Sequence, residues 1–138
     1  MKKVMLFGTF DILHKGHQNF FQQARQYGDL LIVCLGRDLN VLGIKGRLPL
    51  FNEKERLSNL KKTKWVKKVV LGDKKDFLKP ILQYKPQVIC LGYDQKTSTK
   101  ELKKKLQIHN LTIKIVRLKS FKPHLYKSSI LRKKYVGY

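Results

Sequence analysis

Val4-Met5-Leu6-Phe7-Gly8-Thr9-Phe10-Asp11-Ile12-Leu13-His14-Lys15-Gly16-His17 opens on an apolar run and closes on two histidines three apart around a glycine. The run Val4 to Phe7 reads as a strand. From His17 onward Phe20, Phe21, Ala24 and Tyr27 form one apolar stripe with helical spacing, which Gly28 ends. A strand that stops at a tight turn and delivers two imidazoles to the mouth of a helix builds a phosphate site. Backbone donors, the helix dipole and the side chains all contribute to it.

The same alternation continues outward from this unit. Further apolar runs at Leu30 to Leu35, Val66 to Leu71, Val88 to Leu91 and Leu111 to Val116 read as strands, several of them apolar throughout and therefore covered on both faces. Between them, Asn52 three residues before Glu55 and Ser98 three before Glu101 are capping-box signals, the second opening the Leu102 and Leu106 stripe. The segment Asp76 to Tyr84 suits a helix if Pro80 falls in its first turn, and Ser128 to Tyr135 reads as a short basic C-terminal helix. Strands and helices in alternation predict a Rossmann-like α/β domain: a doubly wound, five-stranded parallel sheet with right-handed crossovers and helices on both faces. Ligands in such sheets bind beyond the carboxyl ends of the strands, where the winding reverses. The segments expected there are Gly8 to His17, Gly36 to Arg47 and Gly92 to Gln95.

Residues 1–138 are one domain's worth of chain. No apolar run reaches spanning length and the N-terminus starts straight into a strand, so a cytoplasmic protein without a membrane segment is expected. Cys34 and Cys90 each sit inside an apolar strand run, as buried thiols that make neither a disulfide nor a metal site. The net charge is +22, and residues 1–44 carry only +2 of it, leaving +20 beyond them. Such a field attracts nucleic acid, but it equally concentrates nucleoside triphosphates and phosphorylated metabolites. Lysine supplies 25 of the 31 basic residues, and aromatic residues are not interleaved with the basic runs. Base-edge reading favours arginine forks and strand binding favours stacking platforms, so a solvated lysine-rich surface is preferred to a nucleic-acid module.

The segment Gly8 to His17 resembles the signature of the nucleotidyltransferase superfamily that carries an HxGH motif, in both residues and strand-to-helix setting. The resemblance implies that His14 and His17 contact a triphosphate and stabilise charge at the α-phosphorus as pyrophosphate leaves. It also implies nucleotide contacts at Gly8, at Thr9 and at the amide of Phe10. Nucleotidyl transfer asks for two aligned anions and a stabilised crowded phosphorus, which suits histidines acting as stabilisers rather than nucleophiles. Gly16, lacking a Cβ, allows close approach of backbone to phosphate. Asp11 is read as ordering the turn through hydrogen bonds to backbone. A zinc site would need a third ligand near the histidine pair, and none stands there.

Downstream, Lys45 and Arg47 lie in the expected loop Gly43 to Pro49, and Lys45 is the cation expected to neutralise phosphate charge; each is either a phosphate contact or simply solvated. Arg56 aligns with a commonly basic position of the superfamily, as a ligand or a surface ion pair. The stretch Leu91-Gly92-Tyr93-Asp94-Gln95 resembles the corresponding segment of archaeal-type FAD synthases, and the likeness extends through Leu71-Gly72-Asp73 and Val116-Arg117-Leu118. Gly92, Tyr93 and Asp94 are then expected to position the nucleoside, with Asp94 accepting from ribose hydroxyls or an exocyclic amine. Tyr126 to Arg132 resembles the superfamily's ISSTxIR motif, with Lys127 in place of the first serine and Ser129 in place of the threonine. Ser128, Ser129 and Arg132 would hold the outer phosphates.

The resemblance therefore implies transfer of AMP from ATP to FMN, with Mg²⁺ bound through the triphosphate, no metal ligands from the chain, and a homodimer as in many relatives. The alternatives are a cytidylyltransferase acting on glycerol 3-phosphate or a similar phosphorylated alcohol, and a basic nucleic-acid-binding module on the same fold.

Overall fold

A computed structural model describes residues 1–92, 95 and 98–121. The chain runs β1 (Lys3–Gly8), α1 (Lys15–Ala24, extended by a 3-10 turn over Arg25–Tyr27), β2 (Leu30–Leu35), α2 (Asp38–Lys45) and α3 (Glu53–Thr63). It continues through β3 (Lys68–Leu71), α4 (Lys79–Tyr84), β4 (Val88–Leu91), α5 (Thr99–Ile108) and β5 (Lys114–Arg117). All the strands pair in parallel, in the order β3-β2-β1-β4-β5. The winding reverses between β1 and β4. The loops after these two strands therefore face the crevice where ligands of such sheets sit.

Alternation along β1 decides which helix lies on which face. Val4 and Leu6 join Phe21 and Ala24 of α1 and Leu60 of α3 in one apolar layer. Met5 and Phe7 join Ile81 of α4 and Leu102 and Leu106 of α5 in the other. Every one of these residues is buried, so the sheet is covered on both sides, as its continuously apolar central strands require. Cys34 and Cys90 belong to opposite layers, which rules out a bond between them. Burial in apolar surroundings raises their thiols, to about 11 for Cys34 and about 12 for Cys90, so neither is a thiolate near neutral pH.

Local signals set the helix ends. At α3 both halves of the capping box are made: the Asn52 side chain accepts from the Glu55 amide, and Glu55 accepts from that of Asn52. At α5 the Ser98 hydroxyl accepts from the Glu101 amide at 3.3 Å. Pro80 falls in the first turn of α4, where its missing N–H costs nothing.

Three segments differ from expectation. The stretch read as a loop from Gly36 to Arg47 contains α2, so Gly43, Ile44 and Lys45 belong to its last turn and only Gly46 and Arg47 lie beyond it. Asp38 in the first turn and Gly46, in the left-handed region at φ 76°, delimit this helix and offset the glycine inside it. The apolar run Val66 to Leu71 becomes a strand only from Lys68, and that from Leu111 to Val116 only from Lys114, because pairing with β2 and β4 starts there. The expected helix Ser128 to Tyr135 lies outside the described residues. No helix among the described residues is long and apolar enough to cross a membrane.

Candidate active site

At the carboxyl end of β1 the chain makes a turn that depends on a glycine. A Cβ on Gly8 would stand 2.7 Å from the Phe10 ring, which folds back over it. Phe10 itself is buried at φ 49°, a left-handed conformation that a phenylalanine adopts only when its surroundings hold it there. The rings of Phe21, at 5.3 Å, and His17, edge-on at 5.1 Å, do part of that holding. The Phe10 side chain is thus core, and only its backbone is available to a ligand.

His14 is the N-cap of α1, in extended backbone conformation, and its Nδ1 accepts from the Gly16 amide at 3.0 Å. That bond leaves the ring's proton on Nε2 when the imidazole is neutral, directed away from the helix it caps. The Gly16 amide is occupied by this cap. His17 lies in the first turn, its ring stacked on that of His14 with centroids 3.8 Å apart. Burial lowers the pKa of His17 to about 3, with further lowering from His14 and from Lys45, so its imidazole is neutral near pH 7. Its Nδ1 is enclosed, with no hydrogen-bond partner among the described residues. Lys45 ends α2 as an exposed side chain within electrostatic reach of His17. Gly8, Thr9, Phe10, His14, Gly16, His17 and Lys45 are therefore gathered at one end of the sheet.

Across the reversal point, Gly92 and Gln95 are bound to the same place. The Gln95 side chain donates to the Phe7 carbonyl at 2.6 Å and accepts from the Gly92 amide at 2.7 Å. Arg117 of β5 donates to the carbonyls of Gly92 and Gln95. Gly92 and Gln95 are thereby fastened to the end of β1. Tyr93, Asp94, Ser128, Ser129 and Arg132 lie outside the described residues. Among the described residues no group of three or more His, Cys, Asp or Glu side chains could hold a metal ion.

Three acidic and two basic side chains brace the turn from beneath. Asp11 accepts from the amides of Leu50 at 2.6 Å and Phe51 at 2.9 Å, so its bonds do go to backbone, but to the segment before α3 rather than to its own turn. Arg56 is neither an exposed ligand nor a surface ion pair. It is fully buried and donates to the carbonyls of Thr9, Gly36 and Phe51 and to Asp38. Asp38 and Glu53 cap each other's helices, each side chain accepting from the other's amide, and Arg37 pairs with Glu53 at 2.8 Å. Sequence reasoning missed this ring of charges. The signal for part of it was present as acidic residues in the first turns of α2 and α3.

Comparison with known proteins agrees with this geometry. The model of the cytidylyltransferase-like family matches residues 5–134. A FAD synthase of Thermoplasma volcanium is 39% identical over 97% of this chain and 94% of its own length. A FAD synthase of Methanosarcina mazei is 42% identical over 86% of this chain and 77% of its own. Among solved structures, one described as a lipopolysaccharide core biosynthesis protein from Thermoplasma volcanium superimposes with a TM-score of 0.84 at 38% identity, covering 88% of this chain and 99% of that one.

Proposed function

The chain belongs to the cytidylyltransferase-like family and is a nucleotidyltransferase, and we propose that it transfers AMP from ATP to FMN, giving FAD and pyrophosphate. The observation that carries the choice of acceptor is the 39% identity to a FAD synthase along 97% of the chain. The chemistry is supported by the stacked imidazoles at the mouth of α1. In the reaction an oxygen of the FMN phosphate attacks the α-phosphorus of ATP, the new P–O bond forms, and the bond to the β-phosphate breaks. A phosphate acceptor is already ionised near neutral pH, so no strong general base is required.

His14 and His17, both at the head of α1, bind the reacting phosphates. The neutral His17 ring acts as a hydrogen-bond donor, and Lys45 supplies the full positive charge. Gly8, Thr9, the Phe10 amide and Gly16 form the backbone wall of the phosphate site. Gly92, Tyr93 and Asp94 take the nucleoside, and Ser128, Ser129 and Arg132 take the outer phosphates. Mg²⁺ would enter as part of the substrate with ATP and would neutralise phosphate charge there, while the chain's own N–H and cationic donors hold the phosphates. With these substrates the place of action is the cytoplasm. The charge of +22 serves to collect anionic substrates ahead of any nucleic acid, and a homodimer is the expected assembly.

The test is a matrix of ATP and CTP against FMN, glycerol 3-phosphate and phosphocholine, read by pyrophosphate release and product mass. ATP with FMN should turn over, and His17→Ala should lower kcat by about 10²-fold or more while the protein stays folded. An enzyme silent with every donor, yet binding RNA tightly at physiological salt, would overturn the reading. Turnover confined to CTP with glycerol 3-phosphate would replace the substrates and keep the mechanism.

A further inference from the structure

We infer that Arg56 is a positioning residue that aims the Phe10 amide at the reacting phosphates, an inference that rests on the nucleotidyl-transfer reading above. The guanidinium is fully buried, and its Nη1 donates to the Thr9 carbonyl at 2.9 Å. The peptide linking Thr9 to Phe10 is planar and trans, so its N–H points opposite to its C=O. A Thr9 carbonyl turned down onto Arg56 therefore turns the Phe10 amide away from the buried side, towards the mouth of the turn. The left-handed φ of 49° at Phe10 makes this orientation one that the chain would not keep unaided.

The same guanidinium fixes the neighbouring strand end. Nη2 donates to the Gly36 carbonyl at 2.8 Å, and the Gly36 amide donates to the Gly8 carbonyl at 3.0 Å. One planar fork thus sets the turns after β1 and β2 relative to each other. Its own place is set by the Phe51 carbonyl at 3.1 Å and by Asp38 at 2.8 Å. Lysine carries the same charge but donates from a single nitrogen, and it cannot span these divergent carbonyls. Arg56 touches no substrate. Its effect reaches the reaction through the direction of one peptide dipole, which matters most where negative charge builds in the transition state.

Three variants test this with ATP and FMN: Arg56→Lys, Asn52→Ala, and an ester in place of the amide at Phe10, installed as phenyllactic acid. Arg56→Lys should lower kcat by roughly 10²-fold while KM for ATP moves by less than about threefold. The Phe10 ester should give a kcat loss of similar size, and the two changes combined should lose little more than either alone. Asn52→Ala removes the cap of the helix that carries Arg56 but no bond of the fork, so it should lower the melting temperature yet hold kcat within about threefold. Wild-type kcat in either Arg56→Lys or the ester, or losses that multiply in the combined variant, would overturn the role of Arg56. So would an Asn52→Ala kcat as low as that of Arg56→Lys, because general loosening would then explain both. If Arg56→Lys does not fold, citrulline at position 56, which keeps the shape of the side chain and loses one donor arm of the fork, is measured in its place against the same expectation. An inactive wild type, by contrast, refutes the reaction itself.

Discussion

His17 is the residue whose environment makes the sharpest claim about pH. Its pKa falls from 6.5 to about 3 because the ring is buried beside His14 and Lys45, so the folded protein resists protonating it while the unfolded chain does not. The neutral ring therefore contributes its full stability above pH 6.5, and that contribution drains away as pH falls towards 3. From this group alone the slope is at most about 1.4 kcal/mol per pH unit. Urea midpoints measured between pH 7.5 and 4 should fall more steeply for wild type than for His17→Gln, and parallel curves would refute the burial. The histidine pair was legible in the sequence because a strand, a turn and a helix cap are contiguous. Arg56 was not. Within Glu53-Lys54-Glu55-Arg56 it reads as one more exposed charge, and what buries it are carbonyls 47 and 20 residues away at Thr9 and Gly36. No local pattern encodes partners at that range.

Among elements, the contrast between α3 and α2 shows what local chemistry can and cannot announce. The capping box of α3 involves only Asn52 and Glu55, so its start was visible three residues ahead of time. Helix α2 has just eight residues with a glycine among them, and its first amide is capped by Glu53 from across the structure. Its identity as a helix is largely tertiary, which is why glycines and a lysine suggested a loop. The two helices should answer substitution differently. Asn52→Ala removes a side-chain acceptor and should cost about 1 kcal/mol. Gly46→Ala meets open space but is held at φ 76°, so it should cost a comparable ~1 kcal/mol through backbone strain alone. Denaturant unfolding of both variants checks this. A neutral Gly46→Ala would mean that the end of α2 relaxes out of the left-handed conformation, which would in turn shift Lys45.

On the scale of the whole molecule, the charge of +22 acts as a field rather than as a set of contacts. Raising ionic strength from about 0.05 to 0.5 M should raise KM for ATP several-fold and leave kcat nearly unchanged, because screening weakens capture more than it weakens an assembled site. A kcat that fell in parallel would place the lysine excess inside the chemistry. The parallel sheet was implied by the alternation of elements, but the pairings themselves were needed to put β1 in the middle. That central place has a consequence for how the chain comes into being. β1, made before the other four strands, pairs on one side with β2, and its other edge is closed only by β4, where the Lys3 amide donates to the Gln87 side chain 84 residues on. Until Val88 to Leu91 has been synthesised, β1 carries a bare, largely apolar edge suited to pairing with another nascent copy. Translation speed between β2 and β4, and whatever holds nascent chains apart in that interval, should govern the yield of this protein more strongly than the stability of its finished core.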